Sequence, residues 1–345
     1  MIESSYDQGK TDIVIISRTP LRISFVGGGS DLPAFYERER GAVVSTAINK
    51  YIYITVNPKF DRKIRASYSR TEMVDSVDEL KHELIREALK MAGIDGAIEI
   101  TSISDIPSQG TGLGSSSTYT VGLLNALYAY RDHLAGAERL AREACEIEIE
   151  HCGKPIGKQD QYIAAYGGLK YIRFNPDDSV FVDPIICSSE ARRQLQQRLL
   201  LLYTGLTRRA DDILSEQSRN SVDDEEKQAS LRGMVDLAGQ MWDALNCNEL
   251  DGFGELLHAN WMEKRRLASG ISNPAIDRWY ETARAHGAIG GKILGAGGGG
   301  FLLLYAPLER HEEICRALPE LRPIPFHFEP QGSKLIFVEE NGYAT

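Results

Sequence analysis

The chain has 345 residues, 42% of them apolar, which is enough for two domains that each bury a core. Its formal net charge of −10 at pH 7 argues against nucleic acid as a partner, because backbone binding needs clustered Lys and Arg. The N-terminus lacks a basic head followed by an apolar run, and no stretch approaches the roughly 18 apolar residues of a membrane span, so we expect a cytoplasmic protein without a membrane partner.

The first part of the chain is rich in predicted strands. The runs "DIVIISR", "LRISFVG" and "GAVVSTAINKYIYITVNP" are apolar and β-branched, and Gly- and Pro-marked turns separate them. The stretch "DELKHELIREALKMAG" has helical periodicity, and "GAIEITSISDIP" predicts a strand that leads into the loop "SQGTGLG". Two helices are predicted after this loop, from Ser115 to about Tyr130 and from roughly Gly136 to Cys152.

A domain boundary is predicted near the middle of the chain. The segments "YGGLKYIRF" and "SVFVDPII" predict a hairpin, and a polar, helix-favouring stretch follows them at Ser188 to Arg198. We therefore expect one domain over residues 1–190 and a second over 191–345. The second domain is predicted to contain the strand "RLLLLYTG", long helices between Ala210 and Gly287, the run "GGKILGAGGGGFLLLYAP", a helix from about Glu309, and the strands "IPFHFEP" and "KLIFVEE".

The loop "SQGTGLG" has the composition of an anion-binding loop. A Gly-rich turn between a strand and a helix presents backbone N–H groups at the helix N-terminus, where the helix dipole also favours an anion. It is not a Walker A loop, because Ser115 rather than Lys follows Gly114. The three consecutive serine hydroxyls can cap the helix, bind phosphate oxygens or offer an oxygen to Mg²⁺. Taken alone, however, the loop favours a structural interpretation, a tight turn followed by a helix cap.

Three segments of the chain resemble motifs of the GHMP kinases, the family of galactokinase, homoserine kinase, mevalonate kinase and phosphomevalonate kinase. The loop resembles their PxxxGLGSS phosphate loop, "PLRISFVGGGSDLPAFY" resembles their N-terminal substrate motif, and "KILGAGGGGF" resembles their C-terminal glycine motif. The motifs extend from Pro20 to Phe301, so the resemblance covers most of the chain. A dinucleotide-binding interpretation of the second glycine run is disfavoured, because no acidic residue follows it in a βαβ context.

The resemblance implies an α+β, two-domain GHMP kinase fold. Its N-terminal domain is a mixed α/β domain with a left-handed βαβ-type ATP site, and its C-terminal domain is a ferredoxin-like α+β domain. The ATP and substrate sites then lie in the cleft between the domains, and ATP and Mg²⁺ are the implied cofactors. The ATP-binding residues implied by the match are Pro107, Gly110, Gly112, Leu113, Gly114, Ser115, Ser116 and Ser117.

Glu148 is the candidate metal ligand. On the predicted helix "GAERLAREACEIEIEHCG" it lies on a small, apolar face, opposite a charged stripe of solvated type that includes Arg139 and Glu143. A carboxylate on such a face is costly unless it is paired or coordinates a cation, and a salt-bridged glutamate is the alternative. The resemblance implies that Glu148 binds Mg²⁺ together with Ser116.

Asp160 and Arg22 are the candidate catalytic residues. The turn-rich segment "GKPIGKQDQYIAAYGG" resembles the galactokinase-like GxxDQ segment, whose aspartate faces the accepting hydroxyl, and Arg22 matches the basic residue beside that aspartate. Asp160 is then expected to orient the hydroxyl and accept its proton, while the guanidinium stabilises charge on the transferring group. Without the motif, Asp160 is an ordinary turn former and Arg22 a solvent-facing strand residue.

The acceptor site is expected around the turn "GGGSD" and the second glycine run. The resemblance implies that Asp31 holds sugar hydroxyls, although capping of the following helix is an alternative role. Basic side chains near the site are candidates for a phosphate on the substrate, with solvated surface charge as the alternative. The expected substrate-binding residues are Gly28, Gly29, Ser30, Asp31, Lys158, Arg208, Gly297, Gly298 and Gly299.

The substrate motif points to one group within the family. Its ending departs from the galactokinase-type GEHTDY and is similar to that of bacterial sugar kinases acting on D-glycero-D-manno-heptose 7-phosphate. This implies ATP-dependent phosphorylation of the anomeric (C1) hydroxyl to the 1,7-bisphosphate, in the supply of nucleotide-activated heptose for surface polysaccharide. A fucokinase-like or other sugar-1-kinase acting on an unphosphorylated sugar is one alternative, and a non-catalytic sugar and ATP sensor is another. The expected partners are a sugar phosphate and Mg·ATP, and a homodimer stays open.

Overall fold

The computed structural model describes residues 13–107, 112–206 and 210–339, whose strands form two sheets. The first sheet has eight strands, in the order β12-β1-β2-β5-β3-β4, with β6 pairing to β2 and β7 pairing to β6. These strands are β1 (Ile15–Val26), β2 (Gly41–Pro58), β3 (Ile64–Ser67), β4 (Thr71–Val74), β5 (Ile98–Ser104), β6 (Leu169–Phe174), β7 (Val180–Pro184) and β12 (Lys334–Val338).

The two longest strands form the centre of the first sheet. The runs "DIVIISR" and "LRISFVG" join into the single strand β1, whose pairing with β2 is interrupted by a register shift between Pro20 and Leu21. Proline has no backbone N–H to donate, which favours an irregularity of the ladder there. β2 pairs with β6 along its first half and with β5 along its second. The parallel neighbours β3 and β5 are connected through a helix, and β5 leads towards the phosphate loop.

Eleven α-helices are found in the described ranges, and none of them is long and apolar enough to cross a bilayer. A π-helical turn, Glu146–His151, continues directly from the fourth of them. The helices are α1 (Pro33–Tyr36), α2 (Glu83–Ala92), α3 (Ser115–Tyr130), α4 (Ala137–Cys145), α5 (Gln159–Tyr166), α6 (Ser189–Arg198), α7 (Ala210–Asp223), α8 (Glu225–Asn246), α9 (Phe253–Lys264), α10 (Pro274–Ala285) and α11 (His311–Ala317).

The second sheet has four antiparallel strands in the order β11-β8-β10-β9. They are β8 (Leu199–Tyr203), β9 (Gly290–Ile293), β10 (Phe301–Tyr305) and β11 (Arg322–Pro323). In chain order this is a β-α-β-β-α-β arrangement, and the spatial order confirms the expected ferredoxin-like topology. The predicted strand "IPFHFEP" is wrong. This segment forms one isolated β-bridge, between Phe328 and Ile48. Pro325 and Pro330 lack the N–H donors that a regular strand needs.

The end of the described chain returns to the first sheet. β12 pairs antiparallel with β1, so it belongs to the sheet of the N-terminal half, although the expected second domain includes it. The chain passes from the first sheet to the second through α6, which lies near the expected boundary at residue 190. The boundary itself stays a prediction.

α3 places the phosphate loop against the first sheet. It is buried on nearly all sides and packs on β1 and β2, which explains its almost continuous run of small and apolar residues. α4 and its π-helical turn pack nearby, and the turn leaves Glu148 fully buried, as the apolar face predicts. The prediction of a solvated stripe on this helix is only partly correct. Glu143 is buried, because it accepts a hydrogen bond from the Tyr128 hydroxyl and pairs with Arg139 at 2.9 Å.

Candidate active site

A cavity of about 750 Å³ lies where the motifs meet. Its walls are the second half of β1, the turn 27–31, the phosphate loop with the start of α3, the segment leading into α5, parts of α7 and α9, and the glycine-rich loop 294–299. This volume lies within the range of small-molecule sites. A larger open groove of about 1140 Å³ lies between α8 and α9, but none of the predicted site residues lines it.

Arg22 and Asp160 form a two-pronged ion pair in this cavity. Arg22 Nε and Nη2 donate to Asp160 Oδ1 and Oδ2, both at 2.6 Å, and Arg22 Nη1 donates to the Gly112 carbonyl at 2.6 Å. Both residues line the cavity, and the Asp160 side chain, 22% exposed, is more accessible there than that of Arg22, which is 4% exposed. Asp160 lies in the first turn of α5 rather than in a turn-rich loop. This paired geometry gives charge-assisted hydrogen bonds in a fixed orientation.

Ser116 and Glu148 lie in direct contact beside the phosphate loop. The Ser116 hydroxyl donates to Glu148 Oε1 at 2.5 Å, and Gln161 Nε2 donates to Glu148 Oε2 at 2.6 Å. Burial raises the pKa of Glu148 to about 7, while these hydrogen bonds oppose that rise. The resemblance implies Mg²⁺ at this point, and a hydroxyl and a carboxylate beside a phosphate site are donors that Mg²⁺ accepts together with phosphate oxygens and water. The donor set therefore fits the ion.

The described residues contain no cluster of three or more His, Cys, Asp or Glu side chains that would hold a metal ion alone. A cation at Ser116 and Glu148 would accordingly need oxygen atoms from a bound ligand. In nucleotide sites Mg²⁺ usually binds one or two protein oxygens and completes its coordination shell with phosphate oxygens and water.

Asp31 connects the glycine turn to α5. Its Oδ1 accepts from the Gly29 N–H at 2.8 Å and its Oδ2 accepts from the Gln159 N–H at 3.3 Å. Burial is the main cause of a raised pKa for the Asp31 carboxyl. The alternative role as a helix cap is not seen, because Leu32 stands at the N-cap of α1. Gly28, Gly29 and Asp31 all line the cavity.

Two buried lysines of the cavity were not predicted. Lys264 Nζ donates to the Gly28 carbonyl at 3.1 Å and to Gln217 Oε1 at 2.9 Å, and Lys292 Nζ donates to the Phe25 carbonyl at 3.1 Å. Burial lowers the pKa of Lys264 to about 8, and it places the pKa of Lys292 well below its usual value. Lys292 lies inside the quoted motif "KILGAGGGGF", where a lysine in an apolar strand is a usable signal. Lys264 has no comparable signal in the sequence.

Two further polar side chains of the cavity were also missed. Ser24 Oγ and Gln159 Oε1 are buried and have no hydrogen-bond partner among the described residues. Both lie near Gly28, since a side chain there would place its Cβ 3.4 Å from Ser24 Oγ and 4.0 Å from Gln159 Oε1. Buried polar groups normally find partners, so these two atoms are available to form hydrogen bonds with a ligand.

The phosphate loop and the second glycine loop are in backbone contact. A Cβ on Gly112 would lie 2.3 Å from the Leu294 carbonyl oxygen, and a Cβ on Gly295 would lie 2.5 Å from the Gly112 Cα. Both residues have a positive φ, 75° and 72°, which favours glycine. Gly297 and Gly299 also line the cavity. Glycine is therefore required at this interface for close approach as well as for conformation.

Several predicted site residues lie away from the cavity lining. Ser30 is buried, and its hydroxyl donates to the Gly27 carbonyl, so it stabilises the turn. Lys158 donates to Asp178 and lies over the Tyr36 ring, so its charge is already engaged. The other predicted residues outside the lining are as follows: Leu113 and Glu148 are buried, Gly298 donates its N–H to the Ile271 carbonyl, Pro107 is exposed, and Gly110 and Arg208 lie outside the described residues.

The other phosphate-loop predictions are brought together at the cavity. Gly112, Gly114, Ser115, Ser116 and Ser117 all line it. Gly114 has φ 77° and directly precedes α3, so the backbone turns there to begin the helix. The first N–H groups of a helix have no partner within the helix, and those of α3 begin at the cavity. This arrangement can bind an anion next to Ser116 and the Arg22–Asp160 pair.

Two family models match the chain. Residues 79–168 match the GHMP kinases N terminal domain, and residues 241–323 match the GHMP kinases C terminal domain. The first match contains the phosphate loop, Glu148 and Asp160, and the second contains Lys264 and the glycine-rich loop. The matched segments therefore carry most of the groups that meet in the cavity.

Similar proteins extend the likeness over nearly the whole chain. The chain is 29% identical over 337 residues to the D-glycero-alpha-D-manno-heptose 7-phosphate kinase of Campylobacter jejuni, with 93% of this chain and 98% of the relative covered. It is 27% identical over 328 residues to the bifunctional fucokinase/GDP-fucose pyrophosphorylase of Arabidopsis thaliana. That match covers 87% of this chain but only 31% of the longer relative.

Solved structures agree with these matches. A D-glycero-D-manno-heptose 1-phosphate kinase from Bacteroides thetaiotaomicron superposes with a TM-score of 0.79 at 25% identity, covering 94% of this chain and 100% of the other. A putative sugar kinase from Campylobacter jejuni superposes with a TM-score of 0.74 at 27% identity, and the match covers 93% of this chain and 98% of the other. The two-domain architecture is therefore shared along its full length.

Proposed function

Because the chain belongs to the GHMP kinases, a family of ATP-dependent kinases, we propose that it phosphorylates the anomeric C1 hydroxyl of D-glycero-D-manno-heptose 7-phosphate. The product would be the 1,7-bisphosphate. The observation that carries the proposal is the Arg22–Asp160 pair, held beside the phosphate loop in a cavity of small-molecule size. Phosphoryl transfer depends mainly on positioning and electrostatic stabilisation, and these residues supply both.

The nucleotide phosphates would bind at the start of α3. Its N-terminal N–H groups and helix dipole favour negative charge, and the side chains of Ser115, Ser116 and Ser117 line the same wall. Ser116 and Glu148 would hold Mg²⁺ against the phosphates. When bound, this ion would neutralise charge on the β- and γ-phosphate oxygens. The glycine-rich loop 294–299 would close over the nucleotide and acceptor.

Asp160 would act on the accepting hydroxyl. The hydroxyl oxygen forms a bond to the γ-phosphorus while the bond between that phosphorus and the β,γ-bridging oxygen breaks, and ADP leaves. The hydroxyl proton passes to the Asp160 carboxylate as the new bond forms. Arg22 keeps that carboxylate in one orientation through two hydrogen bonds, and its always-charged guanidinium stabilises negative charge nearby.

A phosphorylated acceptor is supported by two observations. The Campylobacter jejuni relative is named for a heptose 7-phosphate, and its match covers nearly all of both chains. The cavity also contains the buried ammonium groups of Lys264 and Lys292, which favour an anionic ligand over a neutral one. Ser24 and Gln159 would meet sugar hydroxyls.

A second candidate is phosphorylation of an unphosphorylated sugar. The fucokinase part of the Arabidopsis thaliana relative favours it, since 87% of this chain matches that protein at 27% identity. The same Asp160 and Arg22 would serve such a sugar-1-kinase, so the two candidates differ only in what fills the far end of the acceptor site.

A substrate panel tests the proposal. We would measure ADP release by the purified chain with Mg·ATP and heptose 7-phosphate, free mannoheptose, fucose, galactose, mannose, mevalonate or homoserine. Turnover with heptose 7-phosphate, with a new anomeric phosphate in the phosphorus NMR spectrum, is the expected result. Turnover of a free sugar instead would favour the second candidate. Turnover of none of them, with ATP still bound, would favour a sugar and ATP sensor.

A further inference from the structure

The cavity contains two ammonium groups that are almost entirely removed from water. Lys264 is 4% exposed and Lys292 is 2% exposed, and both lie among the lining residues. The other lining cations differ from them, because Arg22 is paired with Asp160 and Lys154 is paired with Glu83. A buried charge without a close counter-ion is costly, so a function for it is expected.

The hydrogen-bond partners of the two lysines are neutral. Lys264 donates to the Gly28 carbonyl and to Gln217, and Lys292 donates to the Phe25 carbonyl. Within the described ranges neither ammonium forms an ion pair with a carboxylate within 4.0 Å. An ammonium group has three N–H donors, so both groups retain donor capacity for a ligand.

The carboxylates near these lysines are already engaged. Asp160 pairs with Arg22, which leaves Asp31 as the acidic group that acts on both lysines. Asp31 already accepts two backbone hydrogen bonds, from Gly29 and Gln159. A phosphate group would supply the missing negative charge and up to three acceptor oxygens.

We propose that Lys264 and Lys292 together receive a phosphate group of a bound substrate. The assignment rests on the proposed kinase function and adds the residues that recognise the phosphate. Two sources share this chemistry, the phosphate already present on the sugar and the γ-phosphate of ATP. The proximity of Lys264 to the turn 28–31, on the acceptor side of the cavity, favours the sugar phosphate.

The test compares three variants of the full chain: Lys264→Met, Lys292→Met and the matched control Lys90→Met. Methionine is unbranched, is one atom shorter than lysine and carries no charge, and Lys90 is exposed on α2, away from the cavity. Thermal unfolding would first show that each variant is folded. Values of kcat and KM would then be measured for heptose 7-phosphate, for free mannoheptose and for Mg·ATP.

The expected result separates the two acceptors. Each cavity variant should raise KM for heptose 7-phosphate by about tenfold or more, because a charge-assisted hydrogen bond is lost. KM for free mannoheptose and for Mg·ATP should be unchanged, as should all constants of Lys90→Met. If kcat instead falls equally with both acceptors, or KM for Mg·ATP rises, the phosphate received is that of ATP.

Other outcomes would overturn the assignment. Folded cavity variants with unchanged constants would show that the lysines bind no phosphate. An equal rise in KM for both acceptors would indicate a structural role in holding the turn 28–31. Failure of the proposed function is a different result, because the wild type would then phosphorylate no heptose 7-phosphate. In that case calorimetric binding of Mg·ATP to wild type and Lys264→Met decides between the ATP phosphate and no phosphate.

Discussion

At the residue scale, the Arg22–Asp160 pair shows how burial and geometry define a role. Arg22 is nearly removed from water, so its charge requires a partner, and both carboxylate oxygens of Asp160 meet it at 2.6 Å. Lysine at position 22 would offer one point charge instead of a planar fork and would leave the carboxylate free to rotate. The orientation of Asp160 therefore depends on the identity of the arginine.

We expect Asp160→Asn to lower kcat by about 10² to 10⁴, because the amide cannot accept the hydroxyl proton. The affinity for Mg·ATP should stay close to that of the wild type, since in the described part of the chain the hydrogen bonds of the Asp160 carboxylate run to Arg22. Steady-state ADP release and calorimetric binding of Mg·ATP measure the two quantities.

A matched control for this substitution is Asp183→Asn. Asp183 also pairs with an arginine, Arg173, but the pair lies between β6 and β7 with both side chains about one third exposed. Its loss should leave kcat unchanged. An Asp160→Asn enzyme with wild-type kcat would contradict the role assigned to Asp160.

Lys264 gives a prediction about the pH dependence of stability. Its folded pKa of about 8 lies below the ordinary 10.5, so the unfolded chain binds the extra proton between these values and stability rises with pH across that interval. Relative to Lys264→Met, the wild type should gain up to about 3 kcal/mol in free energy of unfolding from pH 8 to pH 10.5. Urea unfolding of both proteins at the two pH values measures this gain. A pH-independent difference would contradict burial of the charged group.

At the scale of elements, the two glycine loops form one interface. The phosphate loop belongs to the N-terminal half and the loop 294–299 to the C-terminal half, and their backbones touch at Gly112, Leu294 and Gly295. At these positions the two backbones are in direct contact, with no side chain between them. The phosphate site therefore depends on contact between segments about 180 residues apart in the sequence.

We expect Gly112→Ala and Gly295→Ala each to destabilise the protein by about 1–3 kcal/mol and to weaken binding of Mg·ATP. Each methyl group would meet backbone atoms at 2.3–2.5 Å and would require an unfavourable positive φ. The double variant should lose less than the sum of the two, because the first substitution already opens the interface. Urea unfolding and calorimetry measure both effects.

Gly136→Ala is the control for these two substitutions. Gly136 stands at the N-cap of α4 with φ −71°, and no atom lies within 4 Å of the place its Cβ would take. Binding of Mg·ATP by this variant should equal that of the wild type. Strict additivity of the Gly112 and Gly295 effects would indicate that the loops do not form one interface.

At the scale of the whole molecule, the two sheets share a core. One hydrophobic cluster includes residues of both halves, and the Phe25 and Phe253 rings meet edge to face with centroids 5.3 Å apart. The C-terminal strand β12 also completes the first sheet. A second cluster lies almost entirely in the C-terminal half but includes Phe35 of α1. Because the larger cluster takes in residues of both halves, we expect a single cooperative unfolding transition, with far-UV and near-UV circular dichroism giving the same midpoint.

Ser333 links the segment before β12 to the N-terminal half of the chain. Its hydroxyl forms hydrogen bonds with the Thr19 hydroxyl at 2.7 Å and with Asn125 Nδ2 at 2.9 Å, which connects the residues before β12 to β1 and α3. Ser333→Ala should lower the free energy of unfolding by about 1–3 kcal/mol, since partly buried polar groups lose a partner. The transition should stay single, and the exposed control Ser189→Ala should show no change. Two separate transitions would contradict the shared core.

The sequence by itself predicts much of the local structure and several of the site groups. α3 begins and ends at the predicted residues, since a glycine turn precedes an uninterrupted run of helix-compatible residues. The burial of Glu148 follows from its place on a small, apolar helix face. The family motifs identify Arg22 and Asp160 as neighbours. These predictions succeed because spacing along one element, or a motif, is enough to determine them.

Only the tertiary structure decides which charges enter the cavity. Lys158 looks as basic as Lys264 in the sequence, but it is engaged by Asp178, while Lys264 reaches the glycine turn from α9. Ser30 is likewise used within its own turn. The direction of a side chain depends on contacts between elements far apart in the chain, and local spacing does not contain that information. The sequence therefore determined the family motifs and their order along the chain, and packing between the two halves determined which charged groups face the ligand.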